Sequence, residues 1–83
     1  MVFFPTFLEF EARAKIGTII MAQRDFRGIS QGMRGRVVGM EEQPSGGYDP
    51  RILWLAEELL GRKNPFIESF TKGEYERLLV ETT

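Results

Sequence analysis

Four arginines are the residues of this chain whose type and spacing could do chemistry: Arg24, Arg27, Arg34 and Arg36. Residues 13–40 carry six basic side chains against one acidic side chain, whereas residues 41–83 carry nine acidic against five basic. Such a basic segment can bind the phosphates of a nucleic acid or the carboxylates of an acidic protein surface. The competing interpretation is an ordinary solvated surface on which the two signs mix after folding.

Catalytic chemistry has little support in the sequence. The chain has no histidine and no cysteine, so it lacks the commonest general base, the commonest transition-metal ligand and any thiol nucleophile. The acidic pair Glu41-Glu42 is typical of solvated loop charge, and Gly32-x-x-Gly35 lacks the lysine and hydroxyl residue of a phosphate-binding loop. We therefore expect no enzymatic activity, no cofactor and no metal site.

The length of 83 residues predicts a single domain over 1–83, with an N-terminal helix in 1–16 and a barrel in 17–83. No stretch approaches the ~20 apolar residues that cross a bilayer, so no membrane insertion is expected. The apolar start Met1–Phe4 is followed at once by Pro5 and has no basic residue before it, which is not typical of a signal peptide. A cytoplasmic protein is the resulting expectation.

The N-terminal helix is predicted from a capping pattern and an apolar stripe. Thr6-x-x-Glu9 has the form of a capping box, and Gly17 is placed to end the helix. Phe7 and Phe10 recur at helical spacing and are expected in the core. The apolar Phe3 and Phe4 are harder to bury in so small a domain. We expect those two side chains to contribute to a partner-binding or weak self-association surface.

A glycine-rich turn is predicted between two strands, over 18–25 and 35–40. Its glycines are Gly28, Gly32 and Gly35, and we expect a positive φ at Gly32 or Gly35 because glycine adopts that conformation without a Cβ clash. Residues 41–47 have the composition of a loop. The order strand, glycine-rich turn, strand is typical of small SH3-like barrels.

Signals conflict over 49–61. Asp49-Pro50 could begin a helix that ends at Gly61, whereas the large side chains of residues 51–55 also fit a strand. We favour strands over 52–56 and 66–70 joined by a loop at 60–64, with Trp54 buried near Val37. Thr71-x-x-Glu74 predicts a helical turn. Residues 78–80 then either continue that helix or form a last strand, and the sequence does not decide between them.

These features together resemble small bacterial SH3-like barrel proteins. The resemblance is carried by Gly17-Thr-x-Ile, Asp25-Phe-x-Gly28, Gly32-x-x-Gly35-x-Val37, Gly47-Tyr48, Trp54 and Phe70-Thr-Lys-x-Glu74-Tyr75. More distantly, the order is similar to electron-transport accessory barrels, namely the small peripheral subunit of photosystem I and the variable subunit of ferredoxin–thioredoxin reductase. The segment 55–63 and the N-terminal helix depart from that pattern. The resemblance implies a docking or stabilising role without catalysis, and it transfers no functional residue.

The sequence thus predicts a mainly β, SH3-like small barrel with a short N-terminal helix and a C-terminal helical turn. We expect an accessory or interaction module that docks on a protein partner in a larger assembly, with an electron-transport complex as one candidate. The expected partner-binding residues are Arg24, Arg27, Arg34, Arg36, Phe3 and Phe4. The alternative is a nucleic-acid-binding barrel that uses the arginines around Gly28–Gly35. Only Phe26 is an aromatic residue within the basic stretch, which disfavours base stacking.

Overall fold

The computed structural model describes residues 6–54 and 66–82, which form a mainly β structure with two short helices. The elements are α1 (Glu9–Lys15), β1 (Ile19–Ala22), β2 (Arg34–Glu42), β3 (Tyr48–Trp54), β4 (Phe66–Ser69), α2 (Lys72–Leu78) and β5 (Leu79–Glu81). The strands form one antiparallel sheet in the order β4-β3-β2-β1-β5. Within the described residues β4 and β5 do not pair, so the sheet is not closed.

The nine-residue β2 organises the sheet because it pairs with β1 through its first residues and with β3 along most of its length. The register shifts between Val37 and Gly39, where one residue bulges out of the ladder. A bulge increases the local twist and bends the strand. The second strand expected over 35–40 is therefore confirmed, and it extends to Glu42 beyond the bulge.

Two of the three glycines assigned to the turn have a positive φ. Gly28 and Gly32 have φ values of +80° and +88°, which confirms the positive φ at Gly32. Gly35 lies within β2 instead of the turn and has no positive φ. Its requirement is steric, since a Cβ there would lie 2.9 Å from Ile52 Cγ2 and 3.1 Å from Trp54 Cε3. Gly35 thus makes room for the core.

The core is confirmed around Trp54, which is fully buried on β3 directly opposite Gly35. The Trp54 and Phe70 rings meet edge-on at 5.9 Å, and Phe26 packs edge-on against both. Edge-to-face contacts of this kind add about 0.5–1.5 kcal/mol each beyond area burial. Among the residues described, the other buried hydrophobic side chains of the core are Phe7, Ala12, Ile20, Ala22, Ile29, Met33, Val37, Ile52, Tyr75 and Leu79.

The N-terminal helix exists but starts later than predicted. Its N-cap is Leu8, whose N–H donates to the Glu11 carboxylate at 2.9 Å, so the expected cap at Thr6 is wrong. The reason is tertiary: the Phe7 carbonyl accepts the Tyr48 N–H at 3.0 Å, which holds that residue in an extended bridge. Phe7 is buried as expected, whereas Phe10 is 69% exposed and is not a core residue.

The segment with conflicting signals forms a strand where the structure describes it. β3 runs over Tyr48–Trp54, so the helix alternative is wrong for residues 49–54. The predicted continuation to Ala56 and the loop at 60–64 lie outside the described residues. β4 then matches the predicted strand to within one residue. Strand pairing on both sides of β3 outweighs the local helix start at Asp49-Pro50.

The C-terminal capping box is confirmed. The Glu74 N–H donates to Thr71 Oγ1 at 3.2 Å, and the Thr71 N–H donates to the Glu74 carboxylate at 3.0 Å. The chain leaves α2 at Leu78 and pairs as β5 with β1 from Leu79 onward. Of the residues left undecided by the sequence, Leu78 therefore continues the helix, and residues 79–80 belong to the last strand. Neither α1 nor α2, the helices of the described part of the chain, has the length and apolar character needed to span a membrane.

Candidate interaction surface

One face of the sheet presents arginines to solvent. Along β2 the side chains alternate, with Arg34 and Arg36 exposed and Gly35 and Val37 buried. Successive side chains of a strand point to opposite faces, so both arginines lie on the face away from the core. We call this the outer face, which comprises Ile19, Met21, Arg34, Arg36, Val38, Arg51, Leu53, Ile67 and Val80.

Apolar side chains are interleaved with the arginines on the outer face. The register sets Arg36 opposite Ile19 on one side and Leu53 on the other, and Leu53 opposite Ile67. This row therefore crosses four neighbouring strands. Ile67 is 48% exposed, and Val38 and Val80 are each 39% exposed. The outer face is a mixed cationic and apolar surface.

The arginines of the outer face lack carboxylate partners within residues 6–54 and 66–82. The ion pairs there use Arg13, Lys15 and Arg27, and none uses Arg34, Arg36 or Arg51. Arg51 was not singled out in the sequence because it lies outside the basic segment. The antiparallel register of β3 against β2 brings it to the same face.

Arg27, another arginine of the basic segment, makes contacts within the chain. Its guanidinium donates to the Glu74 carboxylate, lies 3.8 Å from the Glu68 carboxylate, and sits over the Phe70 ring at 5.1 Å. Arg27 also has a positive φ of 44°, uncommon for a residue with a side chain. These contacts clamp the β1–β2 turn to α2 and β4. Arg27 is thus ion-paired within the chain, unlike Arg34 and Arg36, and its expected part in partner binding stays a prediction.

The outer face, as described, does not include the other expected binding residues. Arg24 is exposed just after β1, has no ion pair within the described residues, and lies outside the strands that form the outer face. Phe3 and Phe4 lie outside the described residues. Phe26, the aromatic residue of the basic segment, packs into the core against Trp54 and Phe70. The structure thus brings together Arg34, Arg36 and Arg51.

A cation–aromatic cluster joins α1, α2 and β5 and was not visible in the sequence. Lys15 Nζ lies 4.9 Å from the Tyr75 ring centroid and 5.2 Å from that of Phe7, and it pairs with Glu81 at 2.8 Å. The Tyr75 hydroxyl donates to the same carboxylate, so Lys15 and Tyr75 together lower the pKa of Glu81. Burial, with the carboxylate beside it, raises the pKa of Tyr75.

A groove of about 500 Å³ runs along this cluster between α1 and the C-terminal elements. Phe7, Phe10, Lys15 and Lys72 line it together with the carboxylates of Glu11, Glu76 and Glu81. The groove carries charges of both signs, and its lysine–glutamate pair is satisfied within the chain. We assign this cluster to packing of the two helices.

Asp49 is the one buried charged residue among those described. Its Oδ2 accepts the Gln43 side-chain amide at 2.6 Å, whereas Oδ1 has no hydrogen-bond partner within the described residues. Burial raises the pKa of Asp49, and the negative charge of Glu41, its register partner on β2, raises it further. No signal in the sequence distinguished this acid from an N-cap.

The described part of the chain holds no group of three or more acidic side chains placed to bind a metal ion. Comparison of the chain with protein-family models, with curated protein sequences and with solved structures finds no match in any of the three. The roles assigned to residues therefore rest on geometry and chemistry alone.

Proposed function

We propose that this chain is a non-catalytic interaction module that docks through its outer face on an acidic surface of a larger protein assembly. The carrying observation is the set Arg34, Arg36 and Arg51, which has no carboxylate partner in the described residues and is interleaved with exposed apolar side chains. The distant resemblance to accessory barrels makes an electron-transport complex the first assembly to test.

The composition of the outer face supports protein recognition. Arginine is enriched in protein interfaces, where its stem packs on apolar neighbours while the guanidinium pairs with carboxylates. In the row Ile19–Arg36–Leu53–Ile67, a cation is flanked by apolar groups on the adjacent strands. A partner with an apolar centre and acidic surroundings would cover both components at once.

Nucleic-acid binding is the alternative, and the outer face supports it less. Binding to single strands relies on aromatic side chains on which bases stack. No aromatic residue is among the members of the outer face defined above, and Phe26 is occupied in the core. Phosphate binding would then depend on the arginines alone.

For the fold we propose an SH3-like small barrel that is open between β4 and β5. Two features support this assignment. The last strand returns beside the first, and the long β2 is bulged just beyond the residues that pair with β1. Bulges are a usual device by which a sheet bends toward closure.

The test reverses two charges on the outer face, Arg34→Glu with Arg36→Glu, and recovers partners from lysate by affinity capture. We expect a specific protein partner to be lost from the double variant, because reversal turns attraction into repulsion. The matched control is Arg13→Glu with Arg77→Glu, which changes the net charge equally at exposed positions on α1 and α2. The control should retain the partner.

Salt dependence of the recovered complex separates the two candidates. A complex with an apolar centre should weaken shallowly with salt, and it should survive nuclease treatment. Nucleic-acid binding through several phosphate contacts instead predicts a steep linear fall of log affinity with log salt. Equal capture by wild type and by the outer-face double variant would contradict the proposal for this face.

A further inference from the structure

We propose that β4 is a self-pairing edge, at which two copies of this chain join antiparallel through Ile67 to form a continuous ten-stranded sheet. β4 is at one end of the strand order and pairs only with β3 among the described residues. An exposed edge strand presents unpaired backbone donors and acceptors that another strand can satisfy. The inference concerns assembly and does not depend on the proposed docking function.

The register identifies which backbone groups face outward. The Phe70 N–H donates to the Pro50 carbonyl at 3.0 Å, one position beyond the pair Arg51–Ser69. Bonded and non-bonded pairs alternate in an antiparallel ladder, so Ile67 and Ser69 direct their N–H and C=O groups away from β3. Neither of these two residues has a backbone hydrogen bond outside the ladder within the described part of the chain.

The side chains of β4 leave this edge unprotected. Natural edge strands are often blocked by a charge, and the one charged residue of β4 is Glu68. Glu68 pairs in register with the buried Ile52 and lies beside Arg27, so its side chain is on the face opposite to Ile67. On the outer face, β4 presents the side chain of Ile67, which is 48% exposed and lies next to the half-buried Leu53.

A second copy fits this edge in the register that sets Ile67 opposite its own equivalent. The two Ile67 residues then exchange both backbone hydrogen bonds across a two-fold axis, and their side chains form an apolar pair extended by Leu53 on either side. Moving the register by one residue pair along each strand would set Glu68 opposite Glu68, and like charges directly opposite destabilise a sheet.

Charge repulsion opposes this pairing only weakly. In this register Glu68 and its equivalent are diagonal neighbours about 8 Å apart, but each carboxylate lies 3.8 Å from the Arg27 guanidinium of its own chain. Between the two copies, Arg51 and its equivalent are three strand spacings apart across the sheet and four residues apart along it, or about 20 Å in all. This distance exceeds the screening length of about 8–10 Å at physiological salt.

An acidic segment from another protein is the competing occupant of the edge, since Arg51 lies opposite Ser69 and has no carboxylate partner within the described residues. Only a second copy would give a dimer of the pure protein and a thiol opposite Ile67→Cys.

The first experiment measures molar mass against concentration by sedimentation equilibrium, up to about 1 mM chain. Wild type should shift reversibly from the mass of one chain toward that of two. Ile67→Lys should raise the dimer Kd about tenfold or more, because it sets two charges opposite each other. Val80→Lys, at an exposed outer-face position on β5, should match wild type. A wild type that stays monomeric, or a dimer unaffected by Ile67→Lys, would overturn the proposal.

Cysteine crosslinking tests the register, and it does not depend on whether Ile67→Lys folds. The chain has no cysteine, so Ile67→Cys introduces a single thiol. A directly opposed pair has Cα atoms about 5.5 Å apart, within disulfide range. The matched variant Ser69→Cys would lie roughly 13 Å from its equivalent and should not crosslink. A disulfide-linked dimer from Ser69→Cys and none from Ile67→Cys would reject this register.

Discussion

At the scale of single residues, contacts and burial assign roles that residue type alone does not. Arg27 and Arg34 have the same side chain and belong to the same basic segment, yet one is held by Glu74 and Phe70 and the other has no carboxylate partner in the described residues. Asp49 is the reverse case, an acid at a position that resembles a helix cap but lies buried in a strand.

The buried Asp49 should make stability depend on pH. Because its folded pKa is raised above the ordinary value of 3.8, the folded state binds this proton more tightly than the unfolded chain does. The destabilisation is therefore full above the raised pKa, and stability from this group rises as pH falls from there toward 3.8. Glu81, with its lowered pKa, acts oppositely below the ordinary value of 4.5.

Asp49→Asn removes the charge that burial disfavours and keeps an oxygen for Gln43. We expect its free energy of unfolding at neutral pH to rise by about 1 kcal/mol, with a flatter pH dependence than wild type above 3.8. Denaturant unfolding across that range measures both effects. The control Glu76→Gln removes an equal charge from an exposed site on α2. If Asp49→Asn were less stable than wild type at neutral pH, the ionised carboxylate would be a stabilising group.

At the scale of elements, one strand contains two glycines with opposite requirements. Gly35 has Ile52, the Leu53 carbonyl and Trp54 within 3.1 Å of an added Cβ, whereas an added Cβ at Gly39 meets nothing within 4 Å. Both lie in β2, and neither has a positive φ. Packing alone therefore distinguishes them.

Gly35→Ala should destabilise the protein by about 1–3 kcal/mol, because the backbone of β3 and the indole ring cannot both move aside. Gly39→Ala, the matched control, should be neutral or stabilising by a few tenths of a kcal/mol, since alanine restricts the unfolded chain. Thermal unfolding of the two variants gives the comparison. Equal melting temperatures would contradict the close approach of β2 and β3 at Gly35.

Local sequence signals predict the helices, turns and strands of this chain better than they predict tertiary contacts. Features that depend on neighbouring residues could be predicted, namely the capping box at Thr71, the turn at Gly32 and the strand character of β2. The start of α1 could not, because it is set by a hydrogen bond between Phe7 and Tyr48. Only part of the outer face could be predicted from the sequence. Alternation along β2 places Arg34 and Arg36 on one face, but Arg51 and Ile67 join them only through the sheet register.

At the scale of the whole molecule, the described core is small and depends on a few rings. The Trp54 ring contacts those of Phe26 and Phe70, and the Arg27 guanidinium lies over the Phe70 ring. For a chain of 83 residues the net stability is about 4–12 kcal/mol. Loss of one large ring therefore removes a large fraction of it.

Trp54 offers a test of how that core is balanced. Its ring is fully buried, yet its indole N–H has no hydrogen-bond acceptor within the described residues. Trp54→Ala should cost about 3–5 kcal/mol and leave the protein largely unfolded. Trp54→Phe loses part of the ring but also removes the unsatisfied donor, and burying such a donor costs about 1–3 kcal/mol. We therefore expect Trp54→Phe to remain folded and to lose no more than about 2 kcal/mol.

Denaturant unfolding followed by far-ultraviolet circular dichroism measures the three proteins without relying on the indole signal. Equal losses for the phenylalanine and alanine variants would show that the indole N–H is satisfied in solution and contributes to stability.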